Sequence, residues 1–210
     1  ARIAGQTFRS VTRRATYIVC ALDYDLLVVH LKMTGRLYVV PNDAVMEADR
    51  WLHFWLGLEN GHQLRFSDAR KFGFVALTDR LDAVTPVLGP EPLSDDFSPA
   101  VLRERSRTHK KAIKALLLDQ AFLAGVGNIY ADEALFLAQI HPQRPADSLT
   151  DDEITRLFGT IRQVLDAGID REGASINWYR KPDGTPGKAQ TAFNVYDRTD
   201  LPCVVCGGPI

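Results

Sequence analysis

Two glycines and an asparagine in the middle of the chain form the stretch best suited to hold an anion. The run Gly125-Val-Gly-Asn128 precedes a strongly helix-forming segment that includes Glu133. Glycine allows a tight turn or a positive φ, and Asn128 is a good N-cap residue. We expect one helix to end at the glycines and another to begin at Asn128. The free N–H groups of that second helix would form a phosphate cradle, although most such turns only pack helices together.

Basic residues are concentrated just ahead of this turn. The segment from Arg103 to Lys114 contains several of them and a single acid, Glu104. Because the whole chain has a formal net charge of -1, any basic surface has to be local. The run fits either a surface that faces nucleic acid or an ordinary solvated helix face.

Two short loops carry a second candidate group. Met33 lies in His30-Leu-Lys-Met-Thr-Gly35, and both Arg70 and Phe72 lie in Asp68-Ala-Arg-Lys-Phe-Gly73. If these side chains are exposed, they form a wedge whose apolar groups fill a gap in a base stack and whose cation bonds the unpaired base. The alternative is that Met33 and Phe72 belong to the core.

The cysteines offer a third candidate site. Cys203 and Cys206 form a Cys-x-x-Cys pair followed by Gly207-Gly208, a turn that points backbone N–H groups at thiolate sulfur as in a zinc knuckle. Zinc needs four ligands, so the pair is either half of a zinc site or a surface turn. A redox role is less favoured because no helix follows to lower a thiol pKa. Cys20, in a strand-like run, is expected to be a buried small hydrophobe.

The elements that position these residues divide the chain into halves. Residues 1–80 read as short strands, with Asn60-Gly61 as a hairpin turn, which predicts an antiparallel β-sandwich. Prolines between Pro86 and Pro99 indicate a linker. The helices expected beyond it begin at Pro99, Ala112 and Asn128, and after the capping box Thr150-Asp-Asp-Glu153. The strands are expected at 17–22, 26–31, 35–40, 52–58, 63–67 and 72–77.

Composition sets the outer limits. A chain of 210 residues with 46% hydrophobic and 24% charged residues is typical of a soluble protein large enough for two domains. No apolar run approaches the ~20 residues that a membrane span needs, and no signal peptide is visible. We therefore expect a cytoplasmic protein with no membrane partner.

In combination and in this order, the motifs closely resemble bacterial formamidopyrimidine-DNA glycosylase, which removes 8-oxoguanine and ring-opened purines from DNA. The resemblance covers nearly the whole chain. It rests on the two loops, the glycine turn, the cysteine pair, and the motifs Leu88-Gly-Pro-Glu-Pro-Leu93, Ala112-Ile-Lys114, His141-Pro142 and Val195-Tyr196.

The resemblance implies an α+β fold with four parts. Residues 1–85 would be the β-sandwich of the catalytic domain, 86–97 a linker, 98–192 the helix–two-turn–helix DNA-binding domain, and 193–210 the first half of a zinc finger. The implied cofactor is one Zn²⁺ per chain, held in part by Cys203 and Cys206. The implied partner is double-stranded DNA with a damaged purine opposite C, bound by a monomer.

The resemblance also implies roles for single residues. Met33 would fill the space of the everted nucleotide, Arg70 would face the orphaned cytosine, and Phe72 would intercalate. Asn128 would bond a phosphate, and residues 181–188 would close over the flipped base. The implied DNA-binding residues are Met33, His53, Arg70, Phe72, His109, Lys110, Lys114, Gly127, Asn128 and Tyr130, with Glu133 as a supporting acid.

The family's mechanism uses an N-terminal proline amine that attacks C1′, a glutamate that protonates the sugar oxygen, and β,δ-elimination from the resulting Schiff base. The chain departs from this pattern. It starts at Ala1-Arg-Ile, so no catalytic residue is assigned within it and we expect the Pro-Glu segment to precede it. Thr16 occupies the position of a family lysine, Trp51 stands near that of a DNA-contacting histidine, and a second cysteine pair is absent.

Of three interpretations we favour the first, because the wedge and phosphate-binding motifs are intact. The first is a DNA glycosylase and AP lyase for oxidised purines, whose full-length form carries the nucleophile. The second is a catalytically inactive DNA-binding paralogue or fragment of the same family. The third is a DNA- or RNA-binding module with a helix–turn–helix-like unit, which would need no wedge.

Overall fold

A computed structural model describes residues 2–176 and 178–210. The chain forms two compact units. The first contains the residues up to Thr85 together with Ala174–Lys188, and the second contains Pro86–Gly173 together with Ala189–Ile210. The predicted α+β class is confirmed, since the first unit is built on antiparallel sheets and the second on helices. The segment 174–188, placed with the helices from the sequence, belongs to the β-rich unit.

The first unit contains two antiparallel sheets. One has the strand order β1-β2-β3-β7 and the other the order β4-β6-β5. Six predicted strands lie within a few residues of their expected positions, and β1 is the strand that was missed. The strands are β1 Ser10–Arg14, β2 Tyr17–Ala21, β3 Leu26–His30, β4 Gly35–Pro41, β5 Leu52–Gly57, β6 His62–Asp68 and β7 Phe74–Thr78.

The core of the first unit lies between the sheets. Cys20 and Leu27 from one sheet, Leu22 just after β2, and Leu64 from the other sheet form one buried cluster, which confirms the sandwich and the burial of Cys20. The hairpin predicted at Asn60-Gly61 joins β5 to β6. Gly61 there has a φ of 77°, a conformation that glycine takes without a Cβ penalty.

The sheet topology brings two loops together. The chain leaves the four-stranded sheet after β3, enters the three-stranded sheet at β4, and returns between β6 and β7. Gly35 pairs with Asp68 in one sheet, and His30 pairs with Phe74 in the other. The two crossovers therefore run side by side. We call residues 31–34 the Met33 loop and residues 69–73 the Arg70 loop.

The second unit contains four α-helices, α1 Pro99–Arg107, α2 Ile113–Leu117, α3 Asn128–Ala138 and α4 Asp151–Asp170. Ser98 caps α1, and the predicted capping box of Thr150 and Glu153 opens α4. The helices enclose a core of fully buried side chains that includes Leu102, Leu116, Leu123, Leu135, Ile154, Leu157 and Ile161. Among the described residues, no helix has the length and apolar character to span a bilayer.

Candidate nucleic-acid interface

The Met33 and Arg70 loops present their functional side chains to solvent. Met33 is 66% exposed and Phe72 is 57% exposed, so neither belongs to the core. Arg70 is also exposed, and its guanidinium carbon lies 4.7 Å from the centroid of the Phe72 ring. This cation–π contact holds the charge and the ring as one group. The arrangement has the composition of a wedge, with apolar surface and a multidentate hydrogen-bond donor at one place.

The backbone of both loops is constrained in the same way. Lys32 and Lys71, each one residue ahead of an exposed apolar side chain, have φ values of 50° and 59°. A glycine closes each loop where space is short. A Cβ on Gly35 would lie 2.4 Å from Leu31 O, and one on Gly73 would lie 2.7 Å from His30 O. The left-handed lysines turn the chain sharply, which leaves Met33 and Phe72 at the loop tips.

Asp68 anchors the Arg70 loop. Its carboxylate accepts hydrogen bonds from Gly73 N at 2.7 Å and from Arg70 N at 3.2 Å, and it also accepts one from the Thr34 hydroxyl in the Met33 loop. Burial alone would raise the pKa of Asp68, but the donors of Thr34, Gly73, Arg70 and Phe72 outweigh burial and lower it. The carboxylate is therefore charged and fully occupied behind the exposed side chains. Sequence reasoning missed this residue because its motif reads as a strand end.

His53 lies on the same part of the sheet. Its side chain is exposed, and Nε2 is 2.9 Å from the Asp68 carbonyl oxygen. Since a carbonyl only accepts, Nε2 carries the hydrogen in this contact. Nearby, Arg50 stacks on the Trp51 ring at 4.7 Å. The structure therefore brings His53 close to the base of the Arg70 loop, and its DNA contact stays a prediction.

Thr16, at the position of the family lysine, contacts His30. The Thr16 hydroxyl lies 2.9 Å from His30 Nε2, while Lys32 N donates to His30 Nδ1 at 2.9 Å. The second contact makes Nδ1 an acceptor, so the neutral ring has its hydrogen on Nε2 and donates it to Thr16. Burial and the nearby charge of Lys32 lower the pKa of His30 to about 4. The Thr16 oxygen accepts in this contact, so its own proton points away from His30 Nε2, and the residue is neutral where the family lysine is charged.

The segment 174–188 borders a cavity in the first unit. The cavity has a volume of about 350 Å³, and its lining includes Trp51, Trp178, Arg36 and Glu47. The segment contains a tight turn in which Gly184 N donates to Lys181 O, and Gly184 has a φ of 88°. The two tryptophans give this cavity an aromatic lining suited to a flat ring, and its closure over a flipped base stays a prediction.

The glycine turn of the second unit differs from the expectation in two ways. Helix α2 ends at Leu117, well before the glycines, and the cap of α3 is Gly127 with Asn128 as its first helical residue. The prediction that Asn128 is the N-cap is therefore wrong. Gly125 has a φ of 84°, whereas Gly127 has a φ of -110° that any residue can adopt. A long irregular turn replaces the direct helix-to-helix junction.

Gln120 braces that turn. Its side-chain oxygen accepts from Gly125 N at 2.8 Å, and its nitrogen donates to Val126 O at 2.9 Å. The motif Leu88–Leu93 supports the turn from the other side, since Gly89 N donates to Gln120 O at 2.8 Å and Ala124 N to Pro90 O at 3.0 Å. Sequence reasoning missed this role of Gln120, because a glutamine in an irregular loop belongs to no recognisable sequence pattern.

The N-terminus of α3 is open. Gly127 and Asn128 are exposed, and no side chain among the described residues caps the helix. The first intrahelical bond of this turn runs from Ala131 N to Gly127 O at 2.9 Å, so the N–H groups of Asn128 and Ile129 lie ahead of it. A Cβ on Gly127 would meet no protein atom within 4 Å. This geometry can accept an anion with a close backbone approach.

Ion pairs neutralise much of the basic run. Arg103 and Arg107 both pair with Asp151 at the start of α4, and Lys111 pairs with Asp119 at 3.3 Å. Lys114, the residue predicted to face phosphate, has its Nζ 2.8 Å from Asp132 on α3. This places Lys114 beside the helix whose N-terminus is open. Four of the six basic residues of the run are thus paired with acids, two of them with the same carboxylate.

The remaining predicted contacts of the second unit lie in different environments. His109 is half-buried, with Nδ1 2.9 Å from Arg105 O and its ring 5.7 Å from the Phe122 ring. Lys110 is exposed. The Tyr130 ring packs against α4, where a Cβ on Gly168 would lie 2.3 Å from the tyrosine oxygen. The structure does not test whether any of the three binds DNA.

Glu133 is buried within the second unit, with 3% of its surface exposed. Its carboxylate accepts four hydrogen bonds, from Asn194 N and Nδ2 at 2.8 Å and from Val195 N and Tyr196 N at 2.9 Å. It therefore ties the segment that leads to the cysteine pair to helix α3. The predicted supporting role in catalysis is untested, but this tethering role is visible in the geometry.

Cys203 and Cys206 form a knuckle-like turn. Cys203 N donates to Gly208 O at 2.7 Å, and Gly207, with a φ of 73°, donates to Cys203 O at 3.0 Å. The backbone N–H groups of Cys206 and Val205 point at the Cys203 sulfur and lower its pKa, which favours the thiolate that zinc binds. Among the described residues, no group of three or more ligand-type side chains is gathered, so the zinc site predicted at Cys203 and Cys206 stays a prediction.

Comparison with known proteins identifies the family to which this chain belongs. A model of the formamidopyrimidine-DNA glycosylase N-terminal domain matches residues 1–75, and a model of the formamidopyrimidine-DNA glycosylase H2TH domain matches residues 88–180. The formamidopyrimidine-DNA glycosylase of Chloroflexus aurantiacus is 47% identical over 213 residues, covering 100% of this chain and 76% of the relative. The chain belongs to the formamidopyrimidine-DNA glycosylase family.

Solved structures of the formamidopyrimidine-DNA glycosylase family share the fold. MutM (Fpg) from Thermus thermophilus is 40% identical with a TM-score of 0.87, covering 98% of this chain and 77% of that one. Lactococcus lactis Fpg in complex with DNA that contains an abasic site is 35% identical with a TM-score of 0.88, covering 100% and 77%. The chain thus spans about three quarters of the length of these relatives.

Proposed function

We propose that the protein is a DNA glycosylase and AP lyase that removes oxidised purines from duplex DNA. The observation that carries this proposal is the joined pair of loops in the first unit, which present Met33, Arg70 and Phe72 together and exposed. Family membership supports the same conclusion, as do the solved complexes of Lactococcus lactis Fpg with damage-containing DNA.

The wedge explains how a damaged base is reached. Inserting the Phe72 ring and the Met33 side chain into the base stack replaces the stacking that an everted nucleotide no longer provides. The base left behind has unpaired groups, and an orphaned cytosine presents two acceptors, O2 and N3. Arg70 offers only donors, in a planar fork, which suits that edge. This match supports a damaged purine opposite C as the substrate.

The second unit supplies contacts to the DNA backbone. The open N-terminus of α3 offers N–H groups and the positive end of the helix dipole to a phosphate. Lys114 adds a cation once a phosphate oxygen competes with Asp132 for its Nζ. Such contacts fix the position of the duplex and carry no sequence information, which suits an enzyme that recognises damage rather than sequence.

The covalent step requires an amine that is neutral at physiological pH. In the proposed mechanism this amine attacks C1′ and loses a proton, while the glycosidic bond breaks with its electrons leaving on the base. The C1′–O4′ bond then opens with protonation of O4′, which leaves a Schiff base between the amine nitrogen and C1′. The neutral Thr16 hydroxyl takes the place of a lysine, so we propose slower elimination than with a lysine at this position. A zinc ion bound by Cys203, Cys206 and two further ligands would hold the final segment rigid.

The test is borohydride trapping of the natural full-length protein on a duplex with 8-oxoguanine opposite C. A covalent adduct and strand cleavage are expected. If no adduct forms while abasic-site DNA is still bound, the family's inactive DNA-binding alternative is correct.

A second experiment separates the wedge from a general nucleic-acid-binding module. Arg70→Ala should weaken binding to a duplex with an orphaned C much more than binding to undamaged DNA. Arg80→Ala is the matched control, because Arg80 is an exposed arginine of the same unit paired with Asp82. Equal losses on both duplexes for Arg70→Ala would favour the module.

A further inference from the structure

One buried polar contact joins the Met33 and Arg70 loops. The Thr34 side chain is 7% exposed and Asp68 is 1% exposed, and the threonine hydroxyl donates to the Asp68 carboxylate. The same hydroxyl oxygen accepts from Arg70 N at 3.2 Å. Thr34 therefore bonds both the anchor of the Arg70 loop and the backbone of Arg70 itself, while its own neighbour in the chain is Met33.

The contact has a defined direction. Asp68 is charged, so it accepts only, and the single proton of the Thr34 hydroxyl must point at it. The lone pairs of Thr34 are left for Arg70 N. The other donors to the Asp68 carboxylate are main-chain N–H groups of the Arg70 loop, those of Arg70, Phe72 and Gly73. Thr34 is therefore the donor through which Asp68 reaches the Met33 loop.

We propose that Thr34 and Asp68 are a positioning pair that couples the two loops, so that Met33 and the Arg70–Phe72 group enter DNA as one body. This rests on the proposed function and adds the source of its selectivity. Without the coupling, Arg70 can shift relative to Met33, and its guanidinium can then hydrogen-bond other orphaned bases as well. A guanidinium held in a fixed position does not bond a base whose acceptors lie elsewhere.

The first test measures selectivity on the full-length protein with three substitutions. The quantity is the ratio of affinities for an abasic site opposite C and opposite A. Thr34→Val removes the hydroxyl at nearly constant volume and should lower this ratio about tenfold, as expected for a lost hydrogen bond to a charged group. Thr34→Ser restores the hydroxyl and should return the ratio to within about twofold of the wild type.

Thr78→Val is the matched control. Thr78 is 7% exposed, like Thr34, and its hydroxyl also bonds within the first unit, to Arg80 O at 2.9 Å. This variant should lose stability and keep the ratio. If Thr34→Val leaves the affinity ratio unchanged, or if Thr78→Val lowers it equally, Thr34 and Asp68 are not a positioning pair. A wild type with no preference for C overturns the proposed wedge as well.

A second test needs no DNA. The chain has two methionines, Met33 and Met46, so methyl labelling gives one signal on the Met33 loop and one internal control. Asp68→Asn removes the Asp68 charge, at a residue 35 positions after Met33 in the chain. It should increase the mobility of the Met33 methyl and leave that of the Met46 methyl unchanged. If the Met33 signal is insensitive to Asp68→Asn, the loops are not coupled, whatever the enzyme's substrate.

Discussion

His30 should make the first unit lose stability between pH 8 and pH 5. The ring packs edge-on against Tyr17 at 4.6 Å and lies 6.1 Å from the Phe74 ring. Burial, followed by the charge of Lys32, lowers the pKa of His30 from 6.5 to about 4. The native state therefore keeps His30 neutral, while the unfolded chain binds a proton below pH 6.5. The stabilising contribution is complete above pH 6.5 and is lost as pH falls towards 4.

The size of the effect follows from the two pKa values. A pKa of 6.5 in the unfolded chain and of about 4 in the folded one lowers the free energy of unfolding by ~2 kcal/mol on going from pH 8 to pH 5. His30 is only half-buried, so solvent screening reduces this to ~1 kcal/mol. With a urea dependence of ~1–2 kcal/mol per molar for a unit of this size, the midpoint should shift by about 0.5–1 M.

The assay compares the wild type with His30→Gln in urea titrations at both pH values. Glutamine can donate to Thr16 and accept from Lys32 N without titrating, so it isolates the proton from the hydrogen bonds. All three tryptophans, Trp51, Trp55 and Trp178, belong to the first unit, so their fluorescence reports on that unit alone. Carboxylates with lowered pKa values are shared by both proteins and cancel in the difference.

Between pH 8 and pH 5, the free energy of unfolding should fall by ~1 kcal/mol more in the wild type than in His30→Gln. His62→Gln is the matched control, because it makes the same substitution in the same unit outside the Tyr17–His30–Phe74 cluster, and it should follow the wild type. Equal losses of stability in the wild type and in His30→Gln would refute the inference that His30 stays neutral in the folded state. So would a first unit that gains stability on acidification.

Three further predictions test other contacts. Lys114→Met should weaken DNA binding and reduce the slope of log affinity against log salt by about 0.9, as one lost phosphate contact requires, whereas Asp132→Asn should strengthen binding by releasing the Lys114 Nζ. Glu133→Gln should speed hydrogen exchange of the Val195 and Tyr196 amides roughly 30- to 100-fold with little change in α4, since an amide cannot accept all four of its bonds. Gly73→Ala should cost ~2 kcal/mol or more by urea unfolding, because its Cβ would lie 2.8 Å from the Phe66 ring, whereas Gly57→Ala, 4.0 Å from its nearest neighbour, should change stability by less than ~0.5 kcal/mol.

The elements that sequence reasoning found are those with a local signal. Alternating apolar residues marked the buried strands, and Ser98, Thr150 and Glu153 marked helix starts. The strand β1 was missed because Ser10–Arg14 is an exposed edge strand and shows no apolar alternation. The early end of α2 was missed for a related reason, since the apolar residues after Leu117 are buried by an irregular turn rather than by a helix face.

The supports of the candidate interface have no local signal. Thr34 and Asp68 are 34 positions apart, and Glu133 holds amides more than 60 positions away. Lys114 and Asp132 are 18 positions apart, so the neutralisation of the basic run is invisible along the chain. The family resemblance identified the exposed side chains, because motifs preserve them, but only the structure shows which polar groups hold their backbones.

The arrangement also explains how a chain with a net charge of -1 can present surfaces to DNA. Three carboxylates near the candidate contacts accept from main-chain N–H groups: Asp68 from Gly73, Asp119 from Ala121, and Glu133 from Tyr196. In each case the negative charge is met by more than one donor, with Arg70 N as a further donor to Asp68, Lys111 to Asp119 and Val195 N to Glu133. Under the proposed function, acids placed in this way rigidify the loops that would meet DNA without adding uncompensated repulsion towards phosphate. The net charge of this chain is therefore a poor guide to its proposed partner, and the direction in which each carboxylate points is a better one.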